Sequence, residues 1–362
     1  MLNVAVRLNF CVVFGVEEAG RCEVVEYLVI GAGPAGLQMA RFLHLAERDY
    51  VVLERSPGPA SFFRTFPRHR VLSTDDNWLF EGAPFSRYSK RSFPNADDLV
   101  RYLEDFARPL NIRYDTAVTD VSRYGARHVI IATGQRPHLP SLPGIEHAET
   151  YATASTDPTE YSGKRVLIIG RGRSAFETAD NISATARVTH TVGRSVQRIV
   201  KNGDEFIATI DGSGELCYDA VIACTGFRRD TSLDHPDAHV ITGDSIRAIR
   251  HSARALHRTL EAENHGVPWP HRRLRNRPDS LATTISVRAR EIPDGLADVV
   301  VPQGQYALLY DEMPMTQRNG FVVTSSQVRH YRYNELIAVE RRMHRKPLER
   351  FFSEQLAVPC IA

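Results

Sequence analysis

Several features are scarce in this sequence of 362 residues, and each scarcity excludes a class of protein. The five cysteines are scattered at positions 11, 22, 217, 224 and 360, and none forms a C-x-x-C pair. This distribution argues against a disulfide framework, a zinc site and a paired redox disulfide, and it favours a reducing compartment. The sequence also has no run of 18 apolar residues, so we expect no transmembrane segment.

The sequence also lacks an excess of positive or negative charge. The 45 lysines and arginines nearly balance the 43 acidic residues, which gives a net charge of +2. A balance this even does not favour nucleic acid as a partner. We interpret the basic stretch HGVPWPHRRLRNRP (265–278) as a solvated linker broken by prolines rather than a nucleic-acid contact. The 43% hydrophobic content is typical of a globular protein, and the length suffices for two domains.

The stretch YLVIGAGPAGLQMARFLHLAERDYVVLER (27–55) has the pattern of strand, tight turn, helix and strand. Its glycines are Gly31, Gly33 and Gly36, and Glu54 ends the second strand. In a dinucleotide-binding unit the first glycine makes the turn, the second admits a pyrophosphate and the third lets the helix pack closely. The start of the helix offers free N–H groups to the phosphates, and the acid accepts hydrogen bonds from a ribose.

A second pattern of this kind, KRVLIIGRGRSAFETADNI, occupies residues 164–182. Gly170 and Gly172 repeat the first two glycines, and Ala175 replaces the third, where only close helix packing is needed. The next predicted strand ends without an acid, and Arg194 follows it. An arginine suits a ribose 2′-phosphate, so this site is predicted for NADPH. The alternative that Arg194 is a solvated surface residue stays open.

Two apolar strands end in Thr-Gly, at Thr133–Gly134 and at Thr225–Gly226. Each follows a glycine pattern, as the closing strand of that sheet should. Prolines at 137, 140 and 143 predict a stiff connection between domains. We therefore expect an α/β fold of two Rossmann-like dinucleotide-binding domains, with the NADPH domain inserted in the FAD domain.

The expected boundaries divide the chain into five segments. They are a leader of unclear structure (1–26), the first part of the FAD-binding domain (27–140), the NADPH-binding domain (141–230), the return segment of the FAD-binding domain (231–275) and a C-terminal α+β extension (276–362). The leader shows no clear cleavage site of a signal peptide.

The motifs SFFRTFPRHR, SAFETADN and IACTGFRRDTSL resemble those of a known family over residues 24–275. It is the FAD-dependent oxidoreductase family that includes the endoplasmic-reticulum-associated-degradation flavoprotein, and it is related to the flavin-containing monooxygenases. The resemblance implies FAD at the first glycine pattern and NADPH at the second. The predicted cofactor-binding residues are Gly31, Gly33, Gly36, Glu54, Arg55, Thr133, Gly134, Gly170, Gly172, Ala175, Arg194, Thr225 and Gly226.

The resemblance also implies a reaction. A hydride would pass from NADPH to the flavin, and electrons would then pass to oxygen and substrate, as in a monooxygenase. One alternative is a reductase that serves a protein thiol, and another is a non-catalytic flavoprotein that acts as an interaction module. No Ser-His-Asp or Cys-His array is found, so no catalytic side chain is assigned. The expected location is the cytoplasm, and the resemblance also allows the lumen of the endoplasmic reticulum.

Shortened segments support the non-catalytic alternative. Turn signals at 202–204 and 211–214 predict hairpins in place of a helix and a third parallel strand. No late strand of the FAD sheet is recognised after Leu233, and a helix is expected to begin at Ile246. In the extension we expect strands at YALLY and GFVVTS and a helix at NELIAVERRMHR (334–345).

Overall fold

The computed structural model describes residues 25–66, 83–91, 94–193, 195–243, 246–290, 292, 296–314, 320–332 and 335–357. Their arrangement divides the chain into two compact units, residues 25–40 with 48–240 and residues 41–47 with 241–357. The predicted site residue Arg194 and nearly all of the predicted leader lie outside the described residues. The five domain boundaries given above stay a prediction.

The N-terminal part of the described chain alternates strands with helices. Its elements are β1 (Val25–Ile30), α1 (Pro34–Leu45), β2 (Tyr50–Leu53), α2 (Ser61–Arg64), α3 (Ala96–Ala107), β3 (Ile112–Arg113) and β4 (Ala126–Ile131). β1 pairs in parallel with β2 on one side and with β4 on the other. β2 is buried along its whole length, as a parallel strand covered on both faces requires.

A second alternation of strands and helices follows. Its elements are β5 (Gln135–Pro137), β6 (Glu149–Thr150), β7 (Arg165–Ile169), α4 (Arg173–Ile182), β8 (Val188–Val192), β9 (Val196–Asn202), β10 (Glu205–Ile210), β11 (Gly214–Tyr218) and β12 (Ala220–Ala223). The parallel strands lie in the order β6-β12-β7-β8. The two strands that carry the second glycine pattern and its Thr-Gly turn, β7 and β12, are therefore neighbours.

Antiparallel hairpins join β8 to the closing strand β12. β9, β10 and β11 form a three-stranded sheet with β10 in the centre. The turns contain Gly203 and Gly212, which have φ angles of 62° and 76° that glycine adopts without steric cost. The hairpins predicted at 202–204 and 211–214 are confirmed.

The chain then returns to the first sheet through β13 (Phe227–Arg229) and β14 (Ala238–Val240). β14 pairs in parallel with β4, Ala238 lying opposite Val129, so the first sheet has the order β14-β4-β1-β2-β3. No late strand was recognised in the sequence after Leu233, and β14 corrects this. It was missed because its three residues are too few to show a periodicity. Since the second sheet lies in the chain between β4 and β14, the predicted insertion of one domain in the other is confirmed.

The C-terminal unit contains an antiparallel sheet with two helices on one face. Its elements are α5 (Ile246–His265), β15 (His271–Arg275), α6 (Pro278–Arg288), β16 (Leu296–Gln303), β17 (Tyr306–Pro314), β18 (Gly320–Val323), β19 (Val328–Arg332), β20 (Glu335–Glu340) and α7 (Arg345–Leu356). The strand order is β15-β17-β16-β18-β19-β20. Leu281 and Ile285 of α6 and Phe352 of α7 pack with Phe321 of β18 in a buried core.

Two expectations in this unit were wrong. The supposed linker at 265–278 contains β15, which pairs with β17. The helix expected at 334–345 is instead the strand β20, and α7 begins only at Arg345. β-branched Ile337 and Val339 favour a strand, and pairing with β19 supplies the backbone hydrogen bonds. Pro347 is tolerated in α7 because it lies in the first turn.

A bulge in β17, where Asp311 and Glu312 lie opposite the single residue Asp298 of β16, builds a buried ionic cluster in the same unit. The register of β16 with β17 shifts at Asp298, and Glu312 opposite has a φ of 56°. Asp298 accepts hydrogen bonds from Glu312 N at 3.0 Å and Arg288 Nε at 2.8 Å. The Glu312 carboxylate lies 2.5 Å from His251 Nδ1 and 3.2 Å from Arg254 Nη1. Burial alone would raise the pKa of Glu312, but His251 and Arg254 lower it to about 2.

Candidate functional site

The loop that follows β1, which we call the first glycine loop (residues 31–36), is shaped by backbone contacts that exclude side chains. Gly31 has a φ of 103°, and a Cβ there would lie 2.7 Å from the carbonyl oxygen of Ala132. A Cβ on Gly36 would lie 1.8 Å from the carbonyl oxygen of Gly31. Both distances are far below van der Waals contact, so glycine is required at both positions to bring β1, β4 and α1 together.

Gly33 in the same loop has the opposite environment. No heavy atom lies within 4 Å of the position that its Cβ would take. Packing therefore does not require glycine at this position, and the open space lies directly before Pro34, the first residue of α1. The start of a helix attracts anions through its free N–H groups and its dipole. The loop has room for a phosphate at the point where the backbone favours one.

Glu54, at the end of β2, reaches back to this loop. Its side chain is buried, Oε2 accepts a hydrogen bond from Ala32 N at 2.6 Å, and Oε1 accepts one from Ser56 N at 3.0 Å. The carboxylate thus braces the loop, and each oxygen keeps a further lone pair for a ribose hydroxyl.

The loop after β7, the second glycine loop (residues 170–175), repeats the first. A Cβ on Gly170 would lie 2.3 Å from the carbonyl oxygen of Cys224 and 3.3 Å from the Cβ of Ala175, which is fully buried. A Cβ on Gly172 would meet nothing within 4 Å. Gly172 is the N-cap of α4, and among the described residues no side chain caps it. Each loop thus has a tightly packed first glycine and an open second one.

The two Thr-Gly turns lie beside these loops. Gly134 and Gly226 have φ angles of 81° and 87°, and no heavy atom lies near the position of a Cβ on either. The Thr225 hydroxyl donates a hydrogen bond to the carbonyl oxygen of His138, and Asp230 N donates to the carbonyl oxygen of Gly134 at 3.1 Å. β5 and β13, which leave the two turns, pair as an antiparallel ribbon. The predicted domain crossings therefore lie side by side.

Strand order places each loop where a dinucleotide is expected. In the first sheet the order reverses between β1 and β4, and in the second between β7 and β12. The first glycine loop and Thr133 follow β1 and β4, and the second glycine loop and Thr225 follow β7 and β12. Ligands of parallel sheets bind outside the carboxyl ends of the strands at such reversals. The structure thus brings the predicted glycines, Glu54 and the Thr-Gly turns together at two such places.

Aromatic side chains join α2 and the residues after it to the second dinucleotide-binding part. Phe62 and Phe227 have ring centroids 5.4 Å apart, and those of Phe66 and Tyr151 are 6.3 Å apart. Tyr151 also lies edge-on to Phe227 at 6.1 Å. Sequence reasoning assigned no role to these rings, because only the fold brings residues so distant in the chain into contact.

Two further residues lie near these elements, Arg55, which was predicted, and Tyr114, which was not. Arg55 is exposed and lies close enough to the ribbon to act on Asp230. Ser232, whose backbone N–H donates to the Asp230 carboxylate, lowers the pKa of Asp230, and Arg136 and Arg55 lower it further. Burial, and then the charge of Glu54, raise the pKa of Tyr114.

Metal and membrane sites were not expected, and two findings bear on them. Within the described ranges, no cluster of three or more histidine, cysteine or acidic side chains could hold a metal ion. No helix in that part of the chain is long and apolar enough to cross a membrane.

Two parallel sheets, one inserted in the other and each with a glycine loop where its strand order reverses, define a flavoprotein with two dinucleotide-binding domains. The family model described as pyridine nucleotide-disulphide oxidoreductase matches residues 28–202. FAD-dependent oxidoreductase domain-containing protein 2 of Mus musculus is 30% identical over 391 residues, which cover 68% of this chain and 59% of that protein. The chain is similar in sequence to these FAD-dependent oxidoreductases, and the matching family and its neighbours imply FAD and NADPH as cofactors.

Solved structures share the fold. A flavin-containing monooxygenase from Stenotrophomonas maltophilia has a TM-score of 0.57 at 22% identity, over 66% of this chain and 99% of that chain. The bacillithiol disulfide reductase Bdr from Staphylococcus aureus has a TM-score of 0.58 at 15% identity, over 67% of this chain and 99% of that chain. The chain spans less than two thirds of the length of the mouse relative.

Proposed function

We propose that the chain is an oxidoreductase that takes a hydride from NADPH onto FAD and passes the electrons to oxygen and substrate. The observation that carries this proposal is the duplicated loop geometry within one compact unit. A Cβ on Gly33 or on Gly172 would meet nothing within 4 Å, whereas a Cβ on Gly31 or on Gly170 would overlap a carbonyl oxygen from the neighbouring strand. Two independent phosphate sites of one design are what two dinucleotides require.

The first glycine loop would hold the FAD pyrophosphate, with Glu54 on the ribose and Thr133 and Gly134 beside it. The second glycine loop would hold the NADPH pyrophosphate, with Thr225 and Gly226 beside it and Arg194 on the 2′-phosphate. The role of Arg194 is proposed from the sequence alone, and the roles of the other residues are proposed from their positions. FAD and NADPH supply the hydride chemistry when bound, and the protein supplies orientation and electrostatics.

The cysteines favour oxygen over an internal disulfide as the electron acceptor. The two described cysteines, Cys217 and Cys224, are both free thiols, one exposed and one buried. The sequence has no C-x-x-C pair that could relay electrons to a partner. A reductase of a separate disulfide is the second candidate, because the fold is shared with the bacillithiol disulfide reductase.

Purification tests the proposal first. We expect a yellow protein whose flavin absorbance is bleached by NADPH when oxygen is excluded, because hydride transfer reduces the flavin. The control is the same titration with NADH, which should bleach the flavin more slowly. A colourless protein, or a yellow one that NADPH does not bleach, would favour the non-catalytic alternative.

The electron acceptor is tested on the protein that passes this step. We expect NADPH oxidation to consume oxygen and to stop when oxygen is removed. Addition of 5,5′-dithiobis(2-nitrobenzoate) without oxygen should then restore little of the rate. If this disulfide restores the full rate, the thiol reductase is the correct assignment and the monooxygenase proposal is wrong.

A further inference from the structure

The second glycine loop contains an arginine at a position where the glycine pattern requires no particular residue. Arg171 stands between Gly170 and Gly172 and is exposed. Its side chain runs from the loop toward the end of β8, where a Cβ built on Gly193 would lie 3.4 Å from Arg171 Cδ. The stem of Arg171 therefore passes alongside Gly193, and its guanidinium lies beyond that contact.

The end of β8 is the position that distinguishes the two nicotinamide cofactors. In a βαβ dinucleotide unit the residue after the second strand faces the adenosine ribose, where an acid binds the 2′-hydroxyl and an arginine accommodates a 2′-phosphate. β8 is this second strand, because it pairs in parallel with β7 and Val192 accepts a hydrogen bond from Gly170 N at 2.7 Å. Gly193, the next residue, has no side chain that could occupy this place.

The guanidinium of Arg171 has no carboxylate partner in the part of the chain that the structure describes. Its neighbour Arg173 differs, because its Nε donates to Glu177 Oε1 at 2.5 Å along the first turn of α4. Two arginines of the same loop therefore have different settings. Arg173 is paired with Glu177 on the helix surface. The side chain of Arg171 extends toward the end of β8, where the ribose is expected.

We infer that Arg171 binds the 2′-phosphate of NADPH and so contributes to the choice of NADPH over NADH. This inference rests on the proposed function. A guanidinium binds a phosphate through two parallel N–H donors and keeps its charge at every working pH. Arg171 approaches this place from the glycine loop, and its stem passes alongside Gly193 at the end of β8.

Binding of fragments that lack the nicotinamide tests the inference without turnover. The FAD-loaded protein is titrated calorimetrically with 2′-phospho-ADP-ribose and with ADP-ribose, which differ only in the 2′-phosphate. We expect Arg171→Ala to lose roughly 10- to 100-fold in affinity for the first ligand and little for the second, as for one lost charged hydrogen-bonding group. Arg171→Lys should fall between, because lysine keeps the charge without the planar pair of donors.

Arg173→Ala is the matched control, because it removes the same group from the same loop where Glu177 already holds it. Its ratio of the two affinities should stay within about twofold of wild type. If Arg171→Ala keeps the wild-type ratio, the inference is wrong while the proposed function stands. If the wild-type protein does not distinguish the two ligands, both the inference and the choice of NADPH are wrong. If it binds neither, the second glycine loop is not a nucleotide site, and the proposed function fails with the inference.

Discussion

The variant Gly33→Val is expected to fold normally and to purify without flavin. Nothing lies within 4 Å of the place that a Cβ would take, so the apoprotein accommodates the larger side chain. The added methyl groups would fill the space before α1 that we propose for the FAD pyrophosphate. Each charge-assisted hydrogen bond lost there costs about 1.5–3 kcal/mol, so the affinity for FAD should fall on the order of 100-fold or more. Flavin absorbance per protein and thermal unfolding of the apoprotein measure the two effects.

Gly172→Val is the corresponding change in the other loop and should have the complementary result. Gly172 has a φ of −93° and a ψ of 178°, which valine adopts readily. We expect this variant to keep its flavin and to lose bleaching by NADPH. If Gly172→Val lost flavin and Gly33→Val kept it, the assignment of the two cofactors would be reversed.

Gly36→Ala separates loss of the cofactor from loss of the fold. Its Cβ would overlap the carbonyl oxygen of Gly31 at 1.8 Å, so we expect the apoprotein itself to be destabilised, by about 1–3 kcal/mol. Equal thermal stability of the Gly33→Val and Gly36→Ala apoproteins would contradict the distinction between an open and a closed glycine in this loop.

The variant Glu312→Gln is expected to lower the free energy of unfolding of the C-terminal unit by about 3 kcal/mol at neutral pH. The change keeps the size of the side chain but removes the charge that His251 and Arg254 face. Breaking one partner of a buried ionic group leaves the others uncompensated, which costs more than the pair itself contributes. Unfolding of this unit is measured by the fluorescence of Trp269, which donates a hydrogen bond to the carbonyl oxygen of Asp311. The substitution Trp78→Phe removes the other tryptophan of the sequence.

The same carboxylate predicts an acid dependence. The pKa of Glu312 is lowered from 4.5 to about 2 in the folded chain, so its contribution to stability is complete above pH 4.5. It should be lost as the pH falls from 4.5 toward 2, because the unfolded chain takes up the proton first. Glu312→Gln should remove this part of the pH dependence of unfolding.

Glu354→Gln in the same unit is the matched control. Glu354 pairs with Arg350 on the surface of α7 at 2.9 Å, where both side chains are more than half exposed. Exposed pairs of this kind contribute about 0.5 kcal/mol or less. An equal effect of the two variants would show that burial of the Glu312 cluster does not matter for stability.

Much of the dinucleotide-binding part followed from local patterns. The pattern of strand, turn, helix and strand predicted over 27–55 is present, as are the hairpins at 202–204 and 211–214, and both Thr-Gly strands pair with the strand that precedes their glycine loop. These features depend on short-range chemistry, such as apolar strands that must be buried and glycines that make turns. β14 was missed because its three residues carry no periodicity and depend on β4 for their hydrogen bonds.

Much less of the C-terminal unit could be predicted from the sequence. Its strands β15 and β20 contain charged residues, so the sequence of β15 resembled a linker and that of β20 resembled a helix. Pairing with β17 and β19 decided both, because a backbone gains its hydrogen bonds from whichever neighbour the fold supplies. The ionic cluster around Glu312 was also invisible, since its members lie far apart in the chain.

The sequence by itself determined the two glycine loops and the residues in them, because glycine, helix start and strand must be consecutive to form such a loop. Only the tertiary structure decided that a carbonyl oxygen packs against Gly31 and Gly170, since Ala132 and Cys224 follow strands that are distant in sequence from these glycines. It also placed the stem of Arg171 against Gly193, because the end of β8 meets the glycine loop only when the parallel sheet has formed.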